Sequence, residues 1–214
     1  MKLKTFFTIV TMMLCVGQVY GQTSDLTQED MRELLRQAQL KVDQFNNYVA
    51  FIAKKEKYKN AQRQTENERT KDAYIKSALK LFIGGGKDYY DEYGNWHPAP
   101  IMQVSKISRN GNVDVIDRAV SDYLVRLKNL SYTYVKVTAG DAYFCSEARQ
   151  IGENKYVATL SFRQFFIGKK GELTVTRDQT DKTVTVYIEK KNIDGRSVWT
   201  VLLGDIKVEA TQPF

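Results

Sequence analysis

The sequence is poor in the side chains on which many enzymes and metal sites depend. Its 214 residues include one histidine, two cysteines and three prolines. One histidine and two cysteines at unrelated positions provide no zinc ligand set, and a serine or cysteine nucleophile would have a single candidate base. These shortages argue against zinc enzymes and against hydrolases with a nucleophilic triad, and we expect neither a metal nor a cofactor.

The first twenty-one residues have the pattern of a secretory signal. Lys2 and Lys4 precede an uncharged and mostly apolar run from Phe6 to Val16, and Gly21 is a small residue at the end of the segment. A charged start, an apolar middle and a small residue at the end are the features of a cleavable signal. We therefore predict that residues 1–21 are a signal peptide cleaved before Gln22, and that the protein is exported to the periplasm or the extracellular space.

Two other interpretations of the N-terminus fit less well. A membrane-spanning helix needs roughly 20 apolar residues, and the run from Phe6 to Val16 is much shorter. Acylation at Cys15 resembles lipoprotein processing, which requires a small residue before the cysteine, and Leu14 does not meet that requirement. The rest of the sequence has no apolar run of membrane length, so we expect no transmembrane segment once the signal is removed.

Removal of the signal changes both the net charge and the cysteine count. The formal net charge falls from +7 to +5, and Cys145 is the one cysteine left. An intramolecular disulfide is then excluded, and we expect Cys145 to be a buried thiol because it lies in an apolar-rich strand pattern. The basic residues form no dense patch with interleaved aromatic side chains, so nucleic acid is not an expected partner.

Helical periodicity dominates the chain after the signal. Thr27 and Asp30 can form a capping box at the start of the first helix. Apolar residues then recur at steps of four and three, which places them on one face of the helix. We expect that face to pack on the chain's own sheet. Its residues are Met31, Leu35, Ala38, Val42, Phe45, Val49 and Ile52.

A polar segment, residues 54–72, interrupts the apolar face. Within it, Thr65 and Glu68 could form a second capping box, and an apolar helical face returns before the glycines at 84–86. The triple glycine lacks the preceding strand and the following hydroxyl residue of a phosphate-binding loop. We therefore predict that it ends the helix, and that residues 22–86 form a helical N-terminal region.

Residues 87–214 have the alternation of strands, with one interrupting helix near Val120. A strand over Ile101–Ser108 leads into Asn110-Gly111, a strong hairpin signal. Four long extended segments follow, and short turns between them favour antiparallel pairing. The pattern predicts an α+β fold in which long N-terminal helices pack on a strongly curved, mainly antiparallel sheet, in the order ααββαββββ. The four segments are approximately 131–149, 154–167, 172–190 and 196–209.

This layout resembles the nuclear-transport-factor-like cone fold over roughly residues 26–208. Three short stretches also resemble uncharacterised exported proteins of Gram-negative gut bacteria: Leu81-Phe82-Ile83-Gly84, Asp181-Lys182-Thr183 and Leu203-Gly204-Asp205-Ile206. The cone resemblance implies a cavity between the helices and the sheet, which holds an acid-base pair in some relatives and a ligand in others. The second resemblance implies a compartment and no particular activity.

The candidates for acid-base chemistry are His97 and a buried carboxylate such as Asp141. His97 precedes a proline, which favours an extended backbone, and it would need an orienting acid such as Asp88, Asp91 or Asp141. The acidic run at 88–93 lacks the spacing of a calcium loop and is interpreted as a solvated, tyrosine-rich loop. Aromatic and polar residues near the strands could line a ligand pocket. The residues proposed for it are Trp96, His97, Tyr132, Tyr134, Tyr156 and Arg163.

Three functional hypotheses remain open at this point. The leading one is an exported, non-enzymatic binding or envelope-assembly protein whose partner is a small molecule, a glycan or an envelope protein. The second is a small-molecule enzyme that uses a cone cavity with His97 or a buried carboxylate as acid or base. The third is a structural homo-oligomer formed through the first helix. The sequence leaves the ligand and the oligomeric state open.

The signal interpretation predicts the N-terminus of the secreted protein. Expression of the full-length sequence in a Gram-negative host with an intact secretory pathway should yield a protein whose first residue is Gln22, because Gly21 provides the small residue before the cut. Intact-mass spectrometry of the periplasmic and culture fractions measures this directly. An uncleaved chain in the membrane fraction would contradict the prediction.

Overall fold

The structure, a computed structural model, describes residues 26–56, 60–108 and 110–213. The predicted signal peptide and its cleavage site at Gly21 and Gln22 lie outside the described residues. The described residues form three α-helices, one short 3₁₀ turn at Ile83–Gly86 and ten strands. The helices are α1 Gln28–Ala53, α2 Ala61–Leu79 and α3 Val120–Leu127. The strands are β1 Tyr89–Tyr90, β2 Trp96–His97, β3 Ile101–Ile107, β4 Val113–Ala119, β5 Tyr134–Ala139, β6 Tyr143–Phe144, β7 Arg149–Gly152, β8 Lys155–Lys170, β9 Leu173–Ile193 and β10 Arg196–Pro213.

Helix α1 begins and packs as its sequence predicts. Thr27 accepts a hydrogen bond from the Asp30 amide through Oγ1 (3.1 Å), and the Asp30 carboxylate accepts one from the Thr27 amide (3.0 Å). The apolar face is buried against the sheet, with Val42 1% and Phe45 2% exposed. Because its own sheet covers this face, the hypothesis of a homo-oligomer through the first helix is wrong for this fold.

The polar segment 54–72 contains both the break between the helices and the first half of α2. The Lys55 amide donates to the Tyr132 carbonyl (2.6 Å), which ties the end of α1 to the strand region. Helix α2 is capped by Asn60, which accepts from the Arg63 amide (3.0 Å). The predicted capping box at Thr65 is wrong, because Thr65 lies inside the helix and its hydroxyl donates to the Ala61 carbonyl.

The strands β3, β4, β5, β8, β9 and β10 form the path of one sheet, in the order β4-β3-β10-β9-β8-β5. Neighbours are antiparallel except β10 and β3, which run parallel where Ile206 meets Met102. The predicted long strand over 131–149 is broken into β5, β6 and the start of β7, all of which pair with β8. Pairing with the long strand β8 therefore divides into short strands the segment that the sequence predicts as one extended strand.

The sheet is curved around α1. This helix packs most closely against β5 and β10, which lie on either side of β8 and β9 in the sheet. Irregularities between Leu203 and Ile206, and between Val208 and Ala210, interrupt the pairing of β10 with β9. Extra residues of this kind bend a strand. The predicted fold class, α+β with N-terminal helices on a curved and mainly antiparallel sheet, is confirmed.

Side chains fill the concave side of the sheet, and a few of them are polar. The Gln164 amide donates to Asn46 Oδ1 (2.5 Å), whereas Asn46 Nδ2 is buried without a partner in the described structure. Lys182 is 6% exposed among apolar side chains. Burial lowers the pKa of Lys182 to about 8, and the neighbouring Asp178 opposes this shift. The concave interior therefore contains a lysine whose charged form is costly.

Lys182→Met should stabilise the fold and remove a pH dependence. In the folded chain Lys182 loses its proton near pH 8, whereas an unfolded lysine loses it near about pH 10.4. Between these values the unfolded chain binds more protons, so wild-type stability rises with pH. We expect Lys182→Met to add about 1 to 3 kcal/mol below pH 8 and to lack that rise.

Urea unfolding of both proteins from about pH 7 to about pH 10 measures this difference. Ionisable groups that do not interact with Lys182 contribute equally to both proteins, so the difference between the two curves reports on Lys182 and its neighbour Asp178. A difference that does not change with pH would contradict the depressed lysine pKa.

Candidate functional site

A cleft of about 540 Å³ lies on the outer, convex face of the sheet. Tyr187 and Glu189 of β9 point to this face, since they alternate with the buried Val186 and Ile188. The loop and hairpin formed by residues 83–97 supply the opposite wall. The cleft is therefore separate from the packed concave interior that the cone resemblance proposes as the binding cavity.

Asp91 holds the hairpin of β1 and β2 in shape. Its Oδ1 accepts the backbone amides of Tyr93 (2.9 Å) and Asn95 (2.8 Å). Its Oδ2 lies 3.0 Å from the Asn95 side-chain nitrogen and 3.0 Å from His97 Nε2. Both oxygens of the carboxylate are thus engaged within the hairpin.

These contacts decide the protonation of the Asp91 and His97 pair. Hydrogen bonds, first from His97 and then from Asn95, hold the pKa of the Asp91 carboxyl far below its usual range. Asp91 is therefore ionised at neutral pH and can only accept, so His97 Nε2 carries the proton and donates. The His97 ring also stacks on Tyr89, with ring centroids 5.0 Å apart. The pair orients His97 and also stabilises the turn.

Tyr89 and Tyr187 both line the cleft, and an interaction between their hydroxyls contributes to both pKa values. Burial raises the pKa of Tyr89 to about 12, with smaller contributions from Tyr187, Asp91 and Asp205. Burial also raises the pKa of Tyr187, and Asp205 adds to it. Both phenols are therefore protonated at neutral pH.

Two glycines leave room for these tyrosine rings. A Cβ atom at Gly204 would lie 2.6 Å from Cε2 of Tyr187, and one at Gly84 would lie 2.5 Å from Cδ1 of Tyr89. Gly84 also has a positive φ of 62°, which glycine adopts without strain. Each ring therefore rests directly on backbone that a side chain would cover.

Charged side chains along the cleft are mostly acidic. Asp91, Glu92 and Glu189 line it, together with one ammonium group, that of Lys155. Lys155 contacts Glu92 and lies 3.8 Å from Glu189, so it bridges the hairpin to the sheet. The Lys155 hydrogen bond lowers the pKa of Glu92. Glu189 also contacts Lys191 (3.0 Å), which is not among the residues lining the cleft.

Only part of the proposed pocket comes together here. His97 lines the cleft as proposed, and Trp96 lies on the same hairpin with an exposed side chain. Tyr156 borders the cleft, but its buried ring packs against Trp199, 5.9 Å between centroids. His97 is thus the one proposed pocket residue whose polar side chain lies in the cleft wall.

The other proposed pocket residues lie elsewhere. The Tyr132 hydroxyl is bonded to Thr176 (2.9 Å), while Tyr134 is exposed with the Lys169 ammonium 5.5 Å from its ring centre. Arg163 is exposed and is paired with Asp181 at 2.5 Å. Placing these three in one pocket with His97 is wrong, because β5 and the far half of β8 lie away from the hairpin.

The exposed side chains of two residues contradict the expectation that each is buried. Asp141 is exposed in the connection between β5 and β6, so it is not a buried carboxylate. Cys145 is exposed as well, and its thiol donates to the Thr159 carbonyl (3.4 Å). Both residues follow the break of the expected long strand, where the alternation that suggested burial no longer applies.

Sequence reasoning missed Tyr187, Glu189 and Lys155 as functional candidates. They occupy the face of β8 and β9 opposite to the apolar one, and a polar outward face is the ordinary surface of a sheet. The one available signal was the dense group of acidic and tyrosine residues at 88–93. That group would have pointed to one wall of the cleft but not to the strands opposite.

Comparisons with known proteins find no matching family model and no matching curated protein. Two solved structures from Novosphingobium aromaticivorans are similar in shape. One is a scytalone dehydratase-like protein, 8% identical, covering 87% of this chain and 91% of its own, with a TM-score of 0.42. The other is a ring-hydroxylating dioxygenase-like beta subunit, 15% identical, covering 81% and 89%, with a TM-score of 0.36. Neither similarity carries over a residue role or an activity.

Among the helices of residues 26–56, 60–108 and 110–213, none is both long and apolar enough to span a membrane. Within the same ranges, histidine, cysteine and carboxylate side chains form no group of three or more that could hold a metal ion.

Gly204→Ala should disturb the base of the cleft. The added methyl would overlap the Tyr187 ring and approach Thr185 Cβ at 3.1 Å, which we expect to cost about 1 to 3 kcal/mol of unfolding free energy. Gly140→Ala is the matched control, since its nearest neighbour would be 3.8 Å away. Urea unfolding and the near-ultraviolet tyrosine signal measure both variants. Equal stability of the two variants would contradict the close packing.

Proposed function

We propose that this chain is an exported, non-enzymatic binding protein that holds a small organic cation of the alkylammonium type in the cleft on the convex face. The observation that carries the proposal is the combination of five tyrosines and three carboxylates around one ammonium group. The ring of Tyr156 is buried against Trp199, and the other four tyrosines are Tyr89, Tyr90, Tyr93 and Tyr187. Export rests on the signal pattern of residues 1–21 and is part of the proposal.

Aromatic faces attract cations through the negative potential above the ring. Tyr90 and Tyr93 are strongly exposed on the hairpin, and Tyr187 lines the cleft from β9. One face of Tyr89 is covered by the His97 ring, so a cation between the hairpin and the sheet would contact Tyr187 and the two exposed tyrosines. Protonated phenols keep the rings neutral, so the attraction does not depend on deprotonation.

The charge distribution favours a cation over an anion or a neutral sugar. The chain as a whole has a net charge of +7, yet the cleft is lined by Asp91, Glu92 and Glu189 against Lys155. A bound anion would meet these carboxylates at close range, which is unfavourable. A neutral sugar could stack on the tyrosines but would gain no attraction from the carboxylates, of which Asp91 holds the turn and Glu92 and Glu189 contact Lys155.

The acid-base enzyme is the second candidate, and the His97 and Asp91 pair is the observation in its favour. With Nε2 donating to Asp91, His97 Nδ1 is the nitrogen that could accept a proton. However, both oxygens of Asp91 accept hydrogen bonds within the hairpin, and His97 is partly exposed there. In this geometry the pair of Asp91 and His97 supports the cleft wall.

A pair of ligands of equal shape tests the proposal. Choline should bind, whereas 3,3-dimethyl-1-butanol, which replaces the ammonium by a neutral carbon, should bind at least several-fold more weakly. Isothermal calorimetry and chemical-shift changes at the tyrosines measure this. Equal affinity for the two compounds, or no binding of choline at millimolar concentration, would contradict it.

Three tyrosine variants make the test specific to the cleft. Tyr187→Leu removes an aromatic face and should weaken choline binding by about tenfold, whereas Tyr187→Phe keeps the face and should retain binding. Tyr134→Leu is the control, because Tyr134 is an exposed tyrosine outside the cleft.

A further inference from the structure

Strand β4 leaves one of its two edges open. Each of its residues, from Val113 to Ala119, is paired with β3 on one side. On the other side it pairs with none of the strands formed by the described residues. Three apolar side chains of β4 are exposed: Val113 at 42%, Val115 at 47% and Ile116 at 41%. An open edge with exposed apolar residues is a template for pairing with another strand.

We propose that β4 pairs with β4 of a second copy of this chain, antiparallel, about a two-fold axis that passes through Ile116. The dimer would continue the sheet of one copy into the sheet of the other. A two-fold contact uses the same surface on both copies, so each pair of facing residues occurs twice and must be complementary. The sequence of β4 meets that condition.

The charges of β4 select the register. With Ile116 opposite Ile116 of the second copy, Asp114 lies opposite Arg118, and Arg118 lies opposite Asp114. Residues directly opposite each other share a face of the sheet, and pairs of opposite charge stabilise such contacts. Each dimer therefore gains two ion pairs that flank one contact between isoleucines.

Neighbouring registers lose this match. An axis between Val115 and Ile116 is excluded, because it would set residues of opposite faces against each other. An axis through Asp117 places that carboxylate opposite itself, and like charges directly opposite each other are destabilising. An axis through Val115 sets Asp114 against Ile116 and forms neither ion pair, whereas the axis through Ile116 forms both, although it sets Val115 against Asp117. The axis through Ile116 is therefore the favoured one.

Asp114 and Arg118 are available to form these ion pairs. Asp114 is exposed, and it takes part in none of the ion pairs found among the described residues. Arg118 is half-buried and contacts Asp122 at 3.4 Å, a long contact that leaves the other guanidinium nitrogens available. On the opposite face, Asp117 accepts a hydrogen bond from Gln103 (3.0 Å) within the same chain.

A charge exchange tests the register. Asp114→Arg and Arg118→Asp each place like charges opposite each other twice, and each should weaken the dimer by at least about tenfold. The double variant D114R/R118D restores both pairs with reversed signs. An equimolar mixture of the two single variants should form a heterodimer, because one chain is basic and the other acidic along the edge.

Sedimentation velocity over a range of concentrations measures the dissociation constants, and circular dichroism checks the fold. Glu172→Arg, an exposed residue of the turn between β8 and β9, is the control for a change of net charge. We expect wild type, the control, the double variant and the mixture to dimerise alike. A monomeric wild type at the highest concentration overturns the proposal, as would single variants that dimerise as wild type does. Amide exchange of the wild type is a readout without mutation, since the open edge of β4 should gain protection with concentration.

Discussion

The burial of one apolar face of α1 in the concave side of the sheet is the interaction on which the rest of the structure depends. Val42 and Phe45 lie at its centre, and Phe45 meets Phe82 edge to face at 5.1 Å. The sheet must curve to reach the helix from both β5 and β10. That curvature places the hairpin of β1 and β2 and strand β4 outside the core, where both are available for contacts.

The two faces of the sheet carry different side chains. The concave face is filled with apolar side chains, and its few polar groups, such as Lys182, raise the cost of folding. The convex face carries the tyrosines and carboxylates of the cleft. Tyr187, which lines the cleft, is thus one residue along β9 from the core residues Val186 and Ile188.

The helices and the antiparallel strands could be predicted because their signals are local. A capping box at Thr27 and an apolar step of three or four residues act within one or two helical turns. The cleft could not be predicted in the same way. Tyr89 and Tyr187 are far apart in the chain, and their contact depends on the hairpin lying over β9. Tyr132 and Tyr134 have the same local pattern as residues that do line the cleft, and pairing with β8 takes them elsewhere.

Backbone periodicity and end-capping chemistry were sufficient to establish the class of the fold, the start of α1 and the antiparallel pairing of consecutive long strands. Contacts between distant segments decided the rest. They break the expected strand after Ala139, leave Asp141 and Cys145 exposed, and place the Tyr187 ring against Gly204. The physical reason is that a side chain's face follows from its own strand, whereas what covers that face follows from packing. For the outer face of this sheet, packing of the hairpin decides where the cleft lies.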